Sequence, residues 1–133
     1  MPFKSVNTIM LQHIALTIND SREITGFYQN VLQCVVLRQF TLTPDINRFV
    51  FDREGPVDVY VLEAQNTQLE IFLSSQTENK VFSHVCFTYR NADRVFNKAR
   101  EAGYKAVVKE NPSHNTYFIH DKSGNMFEIK EIQ

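Results

Sequence analysis

A strand pattern that opens on a histidine occurs twice in this chain and limits what the chain can fold into. His13-Ile14-Ala15-Leu16-Thr17-Ile18 is answered by His84-Val85-Cys86-Phe87-Thr88-Tyr89. Successive side chains of a strand point to opposite faces, so His13, Ala15 and Thr17 share one face while Ile14, Leu16 and Ile18 share the other. His84, Cys86 and Thr88 separate from Val85, Phe87 and Tyr89 in the same way. A strand with one apolar face and one small, partly polar face carrying a histidine implies a core on one side and a cavity on the other.

The agreement extends beyond the two strands. After the first, Asn19-Asp20-Ser21 supplies helix-capping chemistry, and Ile24, Phe27, Tyr28, Val31 and Leu32 recur at helical spacing, predicting a helix over about 21–32. After the second, Asn91-Ala92-Asp93 starts a helix with Val95, Phe96, Ala99 and Ala102 on one face, and Gly103 stops it. Strands are expected at 34–40, 57–63 and 67–74 in the first half, and at 104–109, 115–120 and 125–132 in the second. The last strands match again, Gln68-Leu69-Glu70-Ile71-Phe72 against Met126-Phe127-Glu128-Ile129-Lys130. The offset between copies falls from 71 to 58 along the way, so the first copy holds 13 extra residues at about 43–56. Turn signals bracket that insert, which is expected to form an extra strand or a mobile hairpin. A polar stretch at 75–80 reads as a linker.

The fold expected is therefore α+β: one unit over 1–133, made of tandem βαβββ modules at about 9–74 and 82–132. They form a cupped mixed sheet with helices on its outer face. With 14 Lys and Arg against 15 Asp and Glu, the chain has no basic field for nucleic acid and no polybasic membrane anchor, which leaves a small molecule as the expected partner. The start Met1-Pro2-Phe3-Lys4 has no secretory pattern and no apolar run is long enough to span a membrane, so the chain is expected in the cytoplasm. Cys34 and Cys86 have no CxxC spacing and are expected to be reduced and buried.

Each module contributes one histidine to its first strand and one glutamate to its last, on the face opposite the apolar stripe. Placing carboxylates there without a cation is costly. His13, Glu70, His84 and Glu128 together form a nitrogen and oxygen donor set suited to Zn, Ni, Co, Mn or Fe, with room for substrate oxygens. His120 faces the same cavity and is a candidate for orienting a ligand; His114 reads as loop surface.

These residues resemble a known family. His13-Ile-Ala-Leu-Thr, Asp20 and Phe27-Tyr28-Gln-Asn-Val-Leu32, with His84, Ala102-Gly103 and Phe118-Ile-His-Asp121-Lys-Ser-Gly124-Asn-Met-Phe-Glu128, are similar to the vicinal oxygen chelate superfamily over nearly the whole chain. The resemblance implies paired βαβββ modules cupped around a divalent metal, in a homodimer whose sites combine strands of both chains. Three-ligand members, the dioxygenases and fosfomycin enzymes, use the places of His13, His84 and Glu128. Glu70 fills a fourth place, and in this the chain is most similar to glyoxalase I. That likeness implies a lyase acting on the hemithioacetal of a 2-oxoaldehyde with a thiol. Glu128 would move the proton, Glu70 would assist, and Arg38 would bind a substrate carboxylate. Other enzymes of the scaffold, an epimerase or a dioxygenase, and a non-catalytic binder are the alternatives. Where glyoxalase I carries asparagine, an aromatic and glycine shortly after the first metal glutamate, this chain has Ser74-Ser75-Gln76.

Overall fold

The computed structural model describes residues 10–76 and 82–132. The expected 75–80 linker lies mostly outside them. Within them the tandem repeat is realised as two four-stranded mixed sheets. The first holds β1 (His13–Ile18), β2 (Val35–Leu42), β3 (Val57–Ala64) and β4 (Thr67–Leu73), in the order β1-β4-β3-β2. The second holds β5 (His84–Tyr89), β6 (Ala106–Lys109), β7 (Thr116–His120) and β8 (Met126–Glu131), in the order β5-β8-β7-β6. In each sheet the first strand lies parallel to the last and the other pairs are antiparallel.

The apolar faces of both sheets meet in one core. Ile18, Leu69 and Ile71 of the first sheet join Phe87, Phe127 and Ile129 of the second, all buried in a single cluster. Two helices complete it. The helix Ala92–Glu101, α2, buries Val95, Phe96 and Ala99 as its spacing predicts, while Ala102, expected on the same face, is exposed at its C-cap because the helix ends before it. The first module's helix is also present where expected, but it winds as a π-helix over Ile24–Gln29, with Asn30 N–H donating to Thr25 O and Leu32 N–H to Phe27 O. Packing explains the wide turn better than propensity does. Phe27 lies 4.9 Å from the Tyr104 ring and 5.7 Å from the Phe127 ring, so the first module's helix fills the second module's core. Gly26 faces the Tyr104 hydroxyl so closely that a Cβ there would lie 2.9 Å from it. That hydroxyl donates to the buried Glu23 carboxylate at 2.8 Å.

Two similar hydrogen bonds join the modules. The Asn125 side chain, before β8, donates to Thr17 O of β1 at 2.9 Å, and the Gln65 side chain, before β4, donates to Thr88 O of β5. The acceptors Thr17 and Thr88 are the same position of the repeat, while the donors stand two positions apart in it.

The insert corrects the expectation of a strand or hairpin: Pro44–Phe51 is an α-helix, α1. Thr43 caps it by accepting from Ile46 N–H, Pro44 occupies the first turn, Asp45 adds a negative charge there, and Asp52 ends it in the left-handed region at φ 56°. Asn47, 5% exposed, donates from its side chain to Gly55 O at 2.8 Å and fastens the helix to its return loop.

Candidate metal centre

In the first sheet Ala15 stands opposite Glu70 and His13 opposite Gln68, so His13 and Glu70 are diagonal neighbours on the polar face. The His13 Nε2 to Glu70 Oε1 distance is 3.6 Å. In the second sheet Cys86 stands opposite Glu128 and His84 opposite Met126, and His84 Nε2 is 3.1 Å from Glu128 Oε1. Lys130 Nζ lies 3.4 Å from the other Glu128 oxygen. All four side chains are part-exposed and accessible from outside the core.

The far nitrogens are also engaged. His84 Nδ1 meets Phe82 O at 2.8 Å, and His13 Nδ1 meets the side-chain oxygen of Gln12. A neutral imidazole has one N–H, yet both His84 nitrogens lie within hydrogen-bond distance of an oxygen, so that ring needs a second proton or a metal on Nε2. The Phe82 carbonyl raises the His84 pKa above its ordinary value; burial opposes it and Glu128 adds to the rise. Two ligands about 2.1 Å from a cation and roughly at right angles to it are themselves about 3 Å apart. The His84–Glu128 pair at 3.1 Å matches that spacing and the His13–Glu70 pair at 3.6 Å is wider, and an Nδ1–H held by an oxygen is how a metal-binding histidine is usually oriented. The residues fit a divalent cation.

They fit it as two halves. The pairs belong to different sheets, and among the described residues no three His, Cys, Asp or Glu side chains lie close enough together to hold a metal ion. The apolar faces occupy the shared core, which turns each polar face, with its His–Glu pair, away from it.

Arg38 pairs with Val61, which pairs with Glu70, so Arg38 lies in the same cross-strand row as Glu70 and Ala15. Two strand spacings separate Arg38 and Glu70, about 10 Å along the cup. Its guanidinium sits 5.1 Å from the Phe40 ring centre. In the second cup, Met126 stands between His120 and His84. His120 therefore does not orient His84, whose Nδ1 is held by Phe82 O. Burial, with Lys105 next, lowers the His120 pKa. His114 is exposed, as expected, in contact with Ser113.

The two thiols are free, but only Cys34 is buried; Cys86 is exposed on the cup face, contrary to expectation, because its face of β5 is turned away from the core. Burial pushes the Cys34 thiol up to about 12, and burial followed by Glu128 raises Cys86 less. With a chromogenic disulfide at about pH 8, one thiol per chain should react in the native protein, more slowly than free cysteine, and Cys86→Ser should abolish the reaction. A native protein that released two thiols at one rate would contradict the structure.

The sequence model of the Glyoxalase/Bleomycin resistance protein/Dioxygenase superfamily matches residues 10–129. This chain belongs to that superfamily. Among curated protein sequences no relative matches. Solved structures of superfamily likeness include the fosfomycin resistance protein FosX of Listeria monocytogenes, at 13% identity and a TM-score of 0.74 over 96% of each chain. The same protein in complex with Mn(II) and sulfate matches at 14% identity and a TM-score of 0.71, over 96% of this chain and 93% of that one. A glyoxalase family protein of Enterococcus faecalis matches at 18% identity and a TM-score of 0.66, over 90% and 95%. At such identities the likeness is one of fold.

What sequence reasoning missed is the hollow beside the first half-site, walled by α1. The signal was present: Thr43-Pro44 followed by Ile46, Phe49 and Val50 at helical spacing.

Proposed function

We propose that this chain is a divalent-metal enzyme of the glyoxalase I type, acting as a lyase on the hemithioacetal of a 2-oxoaldehyde with a thiol. The observation that carries the reading is the repeat-matched His–Glu pair in each module, at 3.6 Å in the first and 3.1 Å in the second. Because the two pairs lie in different sheets, the centre is a shared one: His13 and Glu70 of one protomer with His84 and Glu128 of a second, in a symmetric homodimer. A bound divalent cation supplies Lewis-acid charge beside the two substrate oxygens. Glu128, with Lys130 on its second oxygen, takes the proton from the substrate carbon and returns it to the neighbouring carbon. Glu70 holds the opposite side of the centre and assists the transfer. Arg38, in the Glu70 row, binds a carboxylate of the thiol partner.

A second reading is another enzyme of the scaffold, and the likeness to FosX favours fosfomycin as its substrate. Metal analysis after reconstitution, joined to a screen of methylglyoxal adducts with several thiols and of fosfomycin, tests both. The expected result is one metal ion per chain and turnover of a thiol adduct, with Glu70→Gln lowering kcat at least about tenfold. Turnover of fosfomycin alone would select the second reading. Less than about a tenth of an equivalent of metal would end both.

A further inference from the structure

A hollow of about 710 Å³ opens on the polar face of the first sheet, two residues along the strands from His13 and Glu70. Ala15 and Phe72 form its floor, Phe51 and Arg53 its wall, and Ser74 and Gln76 its far end. At about 3.3 Å per residue, the floor begins some 6–7 Å from the half-site, within reach of a substituent on a chelated substrate. The volume falls in the range of small-molecule sites, roughly 300–1,000 Å³.

Its lining joins an aromatic pair, Phe51 and Phe72, to the charged side chains Asp52, Arg53 and Glu54. The rings of Phe51 and Phe72 meet edge to face, with centroids 5.3 Å apart and planes at 73°. Such a pair leaves ring faces and edges open to a third ring. The charged side chains of the wall are partly offset: Arg48 is bonded to Glu54 at 2.6 Å, and Asp52 stands next to Arg53. The wall is also preformed. The Thr43 cap, the Asn47 bond to Gly55 O and the left-handed Asp52 fix where α1 ends and hence where Phe51 stands.

From the Phe51–Phe72 pair and its distance from His13 and Glu70 we infer that the hollow is the recognition pocket for the substrate's substituent, and that it takes a flat aryl group carried on the carbons that bear the chelating oxygens. The inference rests on His13 and Glu70 being half of a metal centre. It makes the enzyme selective for aryl over methyl substrates.

The test compares mandelate with lactate, which share a 2-hydroxy acid head and differ in phenyl against methyl, by calorimetry on the Mn(II)-loaded protein. Mandelate is expected to bind roughly 30-fold or more tightly, the effect of burying a phenyl ring. Phe51→Ala should cut that ratio to about fivefold or less with lactate unchanged, and Phe51→Leu, which keeps apolar volume on α1, should cut it in part. Phe49→Ala, on the same helix but 89% exposed, should leave both acids unchanged. Equal affinities on a protein that holds metal would overturn the pocket and leave the metal-enzyme reading standing. A protein that holds no metal would end that reading, and the pocket is then judged by adding 2-naphthol to the metal-free protein. Shifts of the Phe51 and Phe72 ring resonances support it, and shifts elsewhere or none overturn it.

Discussion

An equimolar mixture of His13→Ala/Glu70→Ala protein and His84→Ala/Glu128→Ala protein, exchanged through mild denaturant, should recover about a quarter of the wild-type metal centres, although neither variant alone holds metal. The proportion follows from two-fold symmetry. Random pairing makes half of the dimers mixed. In each mixed dimer one centre receives both damaged halves and the other receives both intact halves. Metal content after gel filtration and turnover of the thiol adduct should rise together to that fraction. A centre built within one chain gives a different result, because every chain in the mixture then carries a damaged half and recovery stays at zero. The structure motivates the shared arrangement through the separation of the pairs into two sheets and the absence, among the described residues, of any three-ligand cluster within the chain. Both double variants change part-exposed polar side chains on the cup faces, so they should fold.

The halves were legible in the sequence because alternation assigns a face. His13 with Glu70, and His84 with Glu128, each fall opposite an apolar stripe, and the structure places the two pairs at 3.6 and 3.1 Å. Alternation does not say how two faces are turned relative to each other. That depends on which surfaces share a core, and here Phe27 of the first module settles against Tyr104 and Phe127 of the second, a contact no local pattern contains. The π-helical winding was hidden for a related reason. One turn of i to i+5 bonding has nearly the same apolar spacing as one turn of i to i+4, and the choice rests on the distant Tyr104. The insert was misread because Thr43-Pro44-Asp45 is turn chemistry and helix-start chemistry at once. Eight residues are too few for periodicity to decide between them.

The Phe27-Tyr28 and Asp121-to-Asn125 motifs, which carry much of the resemblance to the superfamily, are two ends of one buried network. One Asp121 oxygen accepts from Tyr28 Oη at 2.7 Å and from Asn125 Nδ2 at 2.8 Å; the other accepts from the backbone N–H of Ser123 at 2.9 Å and of Asn125 at 2.8 Å. Four donors saturate the carboxylate, which is 4% exposed. Asn125 passes the connection on to Thr17 O, so the network holds the second module's last turn against the strand that carries His13.

Asp121→Ala leaves those donors facing a void and should cost about 3–5 kcal/mol, a large part of the roughly 5–15 kcal/mol available to such a domain. In thermal unfolding the midpoint should fall by about 10–20 °C. Tyr28→Phe removes one donor and keeps the ring, and should cost about 1.5–3 kcal/mol; in the Asp121→Ala background it should cost almost nothing, since its partner is already gone. The phenol adds a pH signature. Burial first, then Asp121, holds the Tyr28 pKa well above its ordinary value, so above about pH 10 the unfolded chain loses a proton that the folded chain keeps. Stability then falls with rising pH by about 1.4 kcal/mol per unit for this one group. Tyr89 and Tyr104, also raised chiefly by burial, add slopes of their own. Urea unfolding of the wild type and Tyr28→Phe across pH 9–11 should therefore give curves that converge as the pH rises, the variant having one phenol fewer to titrate. Parallel curves would mean that Tyr28 ionises as readily in the folded protein as in the unfolded chain, which its bond to a buried carboxylate forbids.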